Sequence, residues 1–168
     1  MAIVTTASAG IRAAGRATIV QLRAPQSTAR AIEDEASNLV PTSPVPVVVS
    51  SRCDIALAAG AAGVNLPESD IPVEAARSLM GERLVGRSVH SLDGALRAEG
   101  EGADFVIFGP VWASASHPDS PPVGIEALAQ VAHALDIPVL AIGGVTQERV
   151  AACREAGAAG YAAIRLFE

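Results

Sequence analysis

One junction is written three times in this chain. Ala59-Gly60-Ala61-Ala62-Gly63-Val64, Glu101-Gly102-Ala103-Asp104-Phe105-Val106 and Ala156-Gly157-Ala158-Ala159-Gly160-Tyr161 share it. Each sets a glycine at a helix end, then an alanine, then an apolar strand. Glycine supplies the left-handed backbone that a helix C-terminus needs, and alanine allows close helix-on-sheet packing. Recurrence of such a junction predicts regular βα units, and βα units require a parallel sheet.

The rest of the chain follows the same rhythm. Strands are expected over 2–5, 18–23, 46–51, 63–66, 83–89, 105–111, 139–142 and 160–166. Helical patterns are expected over 9–16 and 27–39, from 54 to 60, and between Pro72 and Gly81. Further helices run from a Ser91 cap to Gly102, over 125–135, and from Thr146 to Gly157. Eight strands with seven helices fit most simply a single α/β domain over 1–168, a closed (β/α)8 TIM barrel. Its last helix is missing or rudimentary. Such barrels typically run to about 200 residues or more, so this one must be compact. An open doubly wound sheet is the alternative.

Strand seven carries the most specific local signal. In IPVLAIGGVTQERV the apolar run ends on Gly143 and Gly144 just before a helix. Backbone N–H groups there, beside the positive end of a helix, form a candidate anion cradle. A tight βα turn that needs glycine for its φ angles explains the pair equally well.

Composition narrows the chemistry. There is no lysine; all twelve basic residues are arginine. That removes Schiff-base catalysis and a Walker-type phosphate lysine, so any phosphate must be held by arginine, backbone N–H or metal. The net charge of −6 argues against a nucleic-acid partner. No apolar run approaches the roughly 20 residues of a membrane span. The isolated Cys53 and Cys153 form no CxxC and suit a reducing, cytoplasmic setting.

In a barrel the active site lies at the C-terminal strand ends. Read in order, those ends give Gln21 and Arg23, then Ser50, Ser51 and Arg52, then Asn65, Glu68 and Asp70. Ser88 and His90 follow, then the Ser114–His117 loop, Gly143 with Gly144, and Arg165. Ser50 and Ser51 also suit caps for the next helix, and His90 a packing residue at a helix start. Arg23 and Arg165, ending buried strands, point to function because unpaired buried charge is costly.

The segments GADFVIFGPVWASASHPDSPPVGIEAL, IPVLAIGGV, SVHSLDGALRAEGEGAD, DIALAAGAAGVNL and VQLR together resemble the thiamine phosphate synthases and their sister branch, the thiazole tautomerases. The resemblance covers nearly the whole chain. It implies joining of a pyrimidine diphosphate to a thiazole phosphate, with pyrophosphate expelled with help from Mg2+. Gln21, Arg23, Asp70, Ser88, Ser114, Ser116 and Gly144 match family positions. Together with the strand ends, this assigns catalysis to Arg23, Ser88 and His117. Substrate binding falls to Gln21, Arg52, Asn65, Ser114, Ser116, Gly143, Gly144 and Arg165, and Mg2+ to Asp70.

The departures cluster at the diphosphate end. The lysine after the family's QLRE segment falls at Pro25, and its Asn-Asp pair becomes Ser50-Ser51, losing one of two Mg2+ aspartates. The strand-six loop lysine becomes His117, and the strand-eight serine becomes Arg165. The tautomerase histidine is replaced by Pro110, which leaves His90 and His117 as bases for that chemistry. A thiazole-phosphate-binding paralogue without catalysis, or a thiazole tautomerase-like isomerase, is therefore the alternative to a synthase. The expected partner is a small phosphorylated thiazole or pyrimidine, and a homo-oligomer is left open.

Overall fold

The computed structural model describes residues 1–114 and 121–168. Eight parallel strands follow one another in sequence order: β1 (Ala2–Val4), β2 (Val20–Leu22), β3 (Val47–Ser50), β4 (Gly63–Leu66), β5 (Leu84–Val89), β6 (Phe105–Phe108), β7 (Val139–Ala141) and β8 (Gly160–Tyr161). A doubly wound sheet would reverse its order; this one does not. It closes instead. Ala2 pairs with Ala163, Ile3 N donates to Ala163 O at 2.9 Å, and Ala163 N donates to Met1 O at 3.2 Å. The chain is a (β/α)8 barrel.

The repeated junction works as expected. Gly60, Gly102 and Gly157 have φ of 69°, 93° and 89°. The next residue in each case bonds back into the helix: Ala61 N to Ala56 O, Ala103 N to Ala98 O, Ala158 N to Cys153 O. This is the Schellman stop, with the alanine buried beneath it. The residue after that opens the new strand, as Ala62 N reaches Val47 O, Asp104 N reaches Val85 O and Ala159 N reaches Val139 O. Helix termination and strand pairing are thus consecutive steps of one motif.

Seven helices flank the described barrel: α1 (Ala7–Ala14), α2 (Ala29–Leu39), α3 (Cys53–Ala58), α4 (Val73–Met80), α5 (Leu92–Gly100), α6 (Ile125–Ala134) and α7 (Val150–Glu155). Thr28 caps α2 and Ser91 caps α5 through their hydroxyls. Thr6 does the same for α1, so that helix starts two residues before its expected place. Compactness comes from brevity: α3 and α7 have only six residues each. No described helix is long and apolar enough to cross a membrane.

Acidic side chains on neighbouring elements supply further caps. Glu101 Oε2 accepts from Val73 N at the start of α4 (3.0 Å), and Glu35 takes Ala7 N at the start of α1. A carboxylate beside the positive end of a helix is favourable. Part of the acidic excess therefore holds helices to one another.

The core has two layers. Ala, Val and Leu fill the space between helices and sheet, while Met1, Ile3, Val48, Phe105, Ile107 and Ala162 fill the barrel interior. Phe105 fits because Gly86 faces it: a β-carbon there would lie 2.1 Å from its ring.

Two strands stop well short of expectation. β6 ends at Phe108 rather than residue 111, at the cis Gly109-Pro110 peptide. β8 has two residues rather than seven, because the chain passes from β7 to β1 within a few positions: Ala162 N still bonds Ala141 O, whereas Ala163 already pairs with Ala2. A 3₁₀ turn, Arg165–Phe167, then stands where an eighth helix would begin. Arg165 is accordingly exposed and does not end a buried strand.

Candidate active site

A cavity of about 530 Å³ opens at the C-terminal ends of the strands. Gln21, Arg23, Asn65, Ser88, Ser114, Gly143, Gly144 and Arg165 all line it. Ser50, Glu68 and His90 join them from the strand-end set. Ser116 and His117 lie outside the described residues.

The floor is polar and incompletely satisfied. Gln21 and Asn65 are each 2% exposed, yet Gln21 Oε1 and Asn65 Oδ1 find no donor among the described residues. Such orphaned acceptors cost about 1–3 kcal/mol apiece. They persist where a ligand or water supplies the missing hydrogen. Asn65 Nδ2 donates to Ser88 Oγ at 3.0 Å, which occupies a hydroxyl lone pair and leaves the Ser88 proton free to donate. Strand register brings these groups together, since Asn65 lies beside Ser50 on β3 and Gly86 on β5.

The opposite wall is the turn after β7. Gly143 and Gly144 have φ of 90° and 63°. Space alone forbids other residues: a β-carbon on Gly143 would be 2.4 Å from Pro110 Cβ, and one on Gly144 would be 2.6 Å from Ala113 O. The segment after β6 lies against this turn, with Val111 N donating to Ile142 O at 2.8 Å and Trp112 N to Gly143 O at 3.1 Å. The N–H groups of Gly144, Val145 and Thr146 have no acceptor among the described residues.

Charge is concentrated here against the sign of the whole molecule. Among the described residues, three arginines line the cavity, Arg23, Arg149 and Arg165, against one carboxylate, Glu68. Arg23 and Arg165 have no acidic or carbonyl partner among the described residues. Unpaired guanidinium groups facing a partly enclosed space favour an anion. His90 sits at the rim, with Nδ1 against the Gly109 carbonyl and Nε2 3.8 Å from Glu68 Oε2.

Two assigned residues sit elsewhere. Arg52 precedes α3, and its guanidinium turns outward to Asp54. That contact holds the Asp54 carboxyl below its ordinary value. Asp70 lies off the cavity in the loop after β4. Its Oδ1 accepts from Ile71 N at 2.7 Å and its Oδ2 takes the Ser51 hydroxyl. Each oxygen accepts one hydrogen bond and keeps a lone pair, and Ser51 stands where the second carboxylate of the expected pair would be. Neither Ser50 nor Ser51 caps α3, which has no side-chain cap. Burial raises the Cys53 and Cys153 thiols above their ordinary value.

Arg149 and Trp112 escaped the sequence reading. Arg149 Nη1 donates to Gly144 O at 2.7 Å, and its guanidinium lies 5.0 Å from the Trp112 ring centroid. One signal was present: a cation in the first turn of a helix opposes the dipole and needs a reason to be there.

The thiamine monophosphate synthase family model matches residues 3–167. The chain belongs to that family. It is 39% identical over 154 residues to a thiamine-phosphate synthase of Chloroflexus aurantiacus, covering 89% of this chain and 71% of that one. A thiamine-phosphate synthase of Anaeromyxobacter dehalogenans is 44% identical over 154 residues, 89% of this chain and 69% of its own. Among solved structures, a thiamine phosphate pyrophosphorylase from Pyrococcus furiosus superposes with a TM-score of 0.85 at 31% identity, over 94% of this chain and 78% of that one. Family membership thus covers the barrel from β1 to the final 3₁₀ turn.

Proposed function

We propose that this chain joins hydroxymethylpyrimidine diphosphate to thiazole phosphate and releases pyrophosphate. A carbon–nitrogen bond forms between the pyrimidine methylene and the thiazole ring. The methylene carbon–oxygen bond to diphosphate breaks, and pyrophosphate leaves with the electron pair. The supporting observation is the two-ended cavity: unpaired acceptors on the floor, free N–H groups and arginines above.

Gln21 and Asn65 supply acceptors for ring-bound N–H donors. Ser88, its oxygen already engaged by Asn65, offers a proton to the departing oxygen. Arg23 carries charge toward the leaving group, where stabilisation counts most. Gly143, Gly144 and Arg165 hold the thiazole phosphate, and Ser114 lies beside them. No step runs through Mg2+.

Incubating the pure protein with both substrates tests this, with and without Mg2+. Thiamine phosphate must appear above the control lacking protein. None above that control overturns the synthase reading.

A second reading draws on the Ser51–Asp70 contact, which occupies the carboxylate expected to serve the diphosphate. On it, the protein binds thiazole phosphate without turning it over. Saturable calorimetric binding without product supports that role; no binding refutes it.

A further inference from the structure

The Gly143-Gly144 turn is gripped from two directions. The segment after β6 packs so closely that a β-carbon on Gly144 would lie 2.7 Å from Trp112 Cβ. From the other direction Arg149, half-buried in the 3₁₀ turn Gln147–Arg149, donates to the Gly144 carbonyl at 2.7 Å. The same guanidinium stands 5.0 Å from the Trp112 ring centroid. One side chain therefore fastens both walls of the anion end to each other.

Its position is electrostatically awkward. The start of a helical segment carries partial positive charge, so a cation there is disfavoured. The carbonyl and the electron-rich face of the tryptophan offset that cost. Of five guanidinium N–H groups, the Gly144 carbonyl uses one.

A planar trans peptide points its C=O and N–H in opposite directions. Holding the Gly144 carbonyl toward Arg149 therefore turns the Val145 N–H to the other side of that peptide plane. With Gly144 N–H and Thr146 N–H, it is among the donors that no described group accepts. Without the hold, two successive residues at positive φ leave the turn free to rotate this peptide.

We propose that Arg149 is a positioning residue for the anion end. By tying the Gly144 carbonyl to the Trp112 ring, it keeps the turn in the conformation that presents its free N–H groups to phosphate oxygens. This rests on the phosphate-binding reading of that end. The effect comes from the carbonyl contact rather than from the charge alone, so a neutral donor in the same place preserves much of it.

The test uses inorganic phosphate as ligand, with calorimetry and the emission of Trp112, the sole tryptophan, as readouts. Wild type is expected to bind saturably with a change in Trp112 emission. Arg149→Met is expected to weaken binding about tenfold, the loss of one charge-assisted hydrogen bond. Arg149→Gln keeps a donor without the charge, and is expected to recover most of that loss. Circular dichroism checks folding, and Arg149→Leu replaces the Met variant if that fails to fold. An Arg149→Met affinity within about twofold of wild type overturns the inference while leaving phosphate binding intact. Arg149→Gln as weak as Arg149→Met also overturns it, because Arg149 then acts as a charge on the anion itself. Failure of wild type to bind phosphate removes the reading beneath it, and the inference falls with that reading.

Discussion

Ser51 donates its hydroxyl to the Asp70 carboxylate across the gap between the loops that follow β3 and β4. Ser51 does so from φ 68°, the one non-glycine residue of the described chain in the left-handed region. The contact satisfies Asp70 without any cation and closes the place where two carboxylates would otherwise meet.

That geometry predicts a gain of function. Ser51→Asp sets a second carboxylate against Asp70, at a backbone conformation that aspartate tolerates better than most residues. Like charges so close destabilise the metal-free protein, and a divalent cation relieves them. The variant is expected to melt lower than wild type without metal and to rise steeply with added Mg2+, whereas wild type stays flat. Thermal melts across a Mg2+ titration check it. Equal metal responses in both proteins would contradict the account of Asp70.

The cavity floor predicts effects of opposite sign on stability and binding. Gln21 is buried with its carbonyl oxygen unpaired. Gln21→Met keeps the length of the side chain and removes the orphan. The variant is expected to gain about 1 kcal/mol against urea, because no desolvated acceptor remains. Turnover with the pyrimidine diphosphate is expected to fall at least about tenfold, a loss of about 1.4 kcal/mol in the transition state. A variant that loses both stability and turnover would mark Gln21 as a packing residue.

Glycines of similar φ separate turn from site. Gly60 and Gly144 have φ of 69° and 63°, but a β-carbon meets nothing within 4 Å at Gly60 and Ala113 O at 2.6 Å at Gly144. Gly60→Ala therefore carries only the backbone cost, about 1 kcal/mol. It is expected to leave phosphate affinity unchanged. Gly144→Ala must also push the segment after β6 away, so a larger loss of stability and loss of phosphate binding are expected. Urea denaturation and phosphate calorimetry on the two variants supply the comparison.

Much of this was readable because it is local. The Gly-Ala junctions announce themselves in three hexapeptides, since a helix stop and a strand start need only adjacent residues. Gln21, Asn65 and Ser88 were legible once the strands were placed, because period-two alternation carries alternate residues to the inside. What failed was long-range. The contact between Ser51 and Asp70, nineteen positions apart, is not encoded in either residue's local pattern. Arg52 turns to Asp54 instead of inward, a choice made by side-chain rotamers that spacing does not encode. Arg149 reached the site through a carbonyl and a ring that lie apart in sequence.

Arg165 is the exposed residue of the 3₁₀ turn after β8, lines the same cavity as Gly143 and Gly144, and has no partner among the described residues. Its charge is therefore available to a ligand. The turn after β7 offers phosphate only neutral N–H groups. A guanidinium adds bidentate, charge-assisted hydrogen bonds, each worth roughly 1.5–3 kcal/mol at a partly buried site and less at an exposed one. In a chain without lysine, arginine is the side chain left to supply that charge. Arg165→Met keeps the apolar stem and deletes the charge. Because Arg165 is exposed, stability is expected to change by less than about 0.5 kcal/mol. Affinity for thiazole phosphate is expected to fall about three- to tenfold, and the residual binding should lose part of its salt dependence. Calorimetry at two ionic strengths measures both. Affinity within about twofold of wild type at low salt would make Arg165 a bystander and leave the anion end to the turn and Arg149.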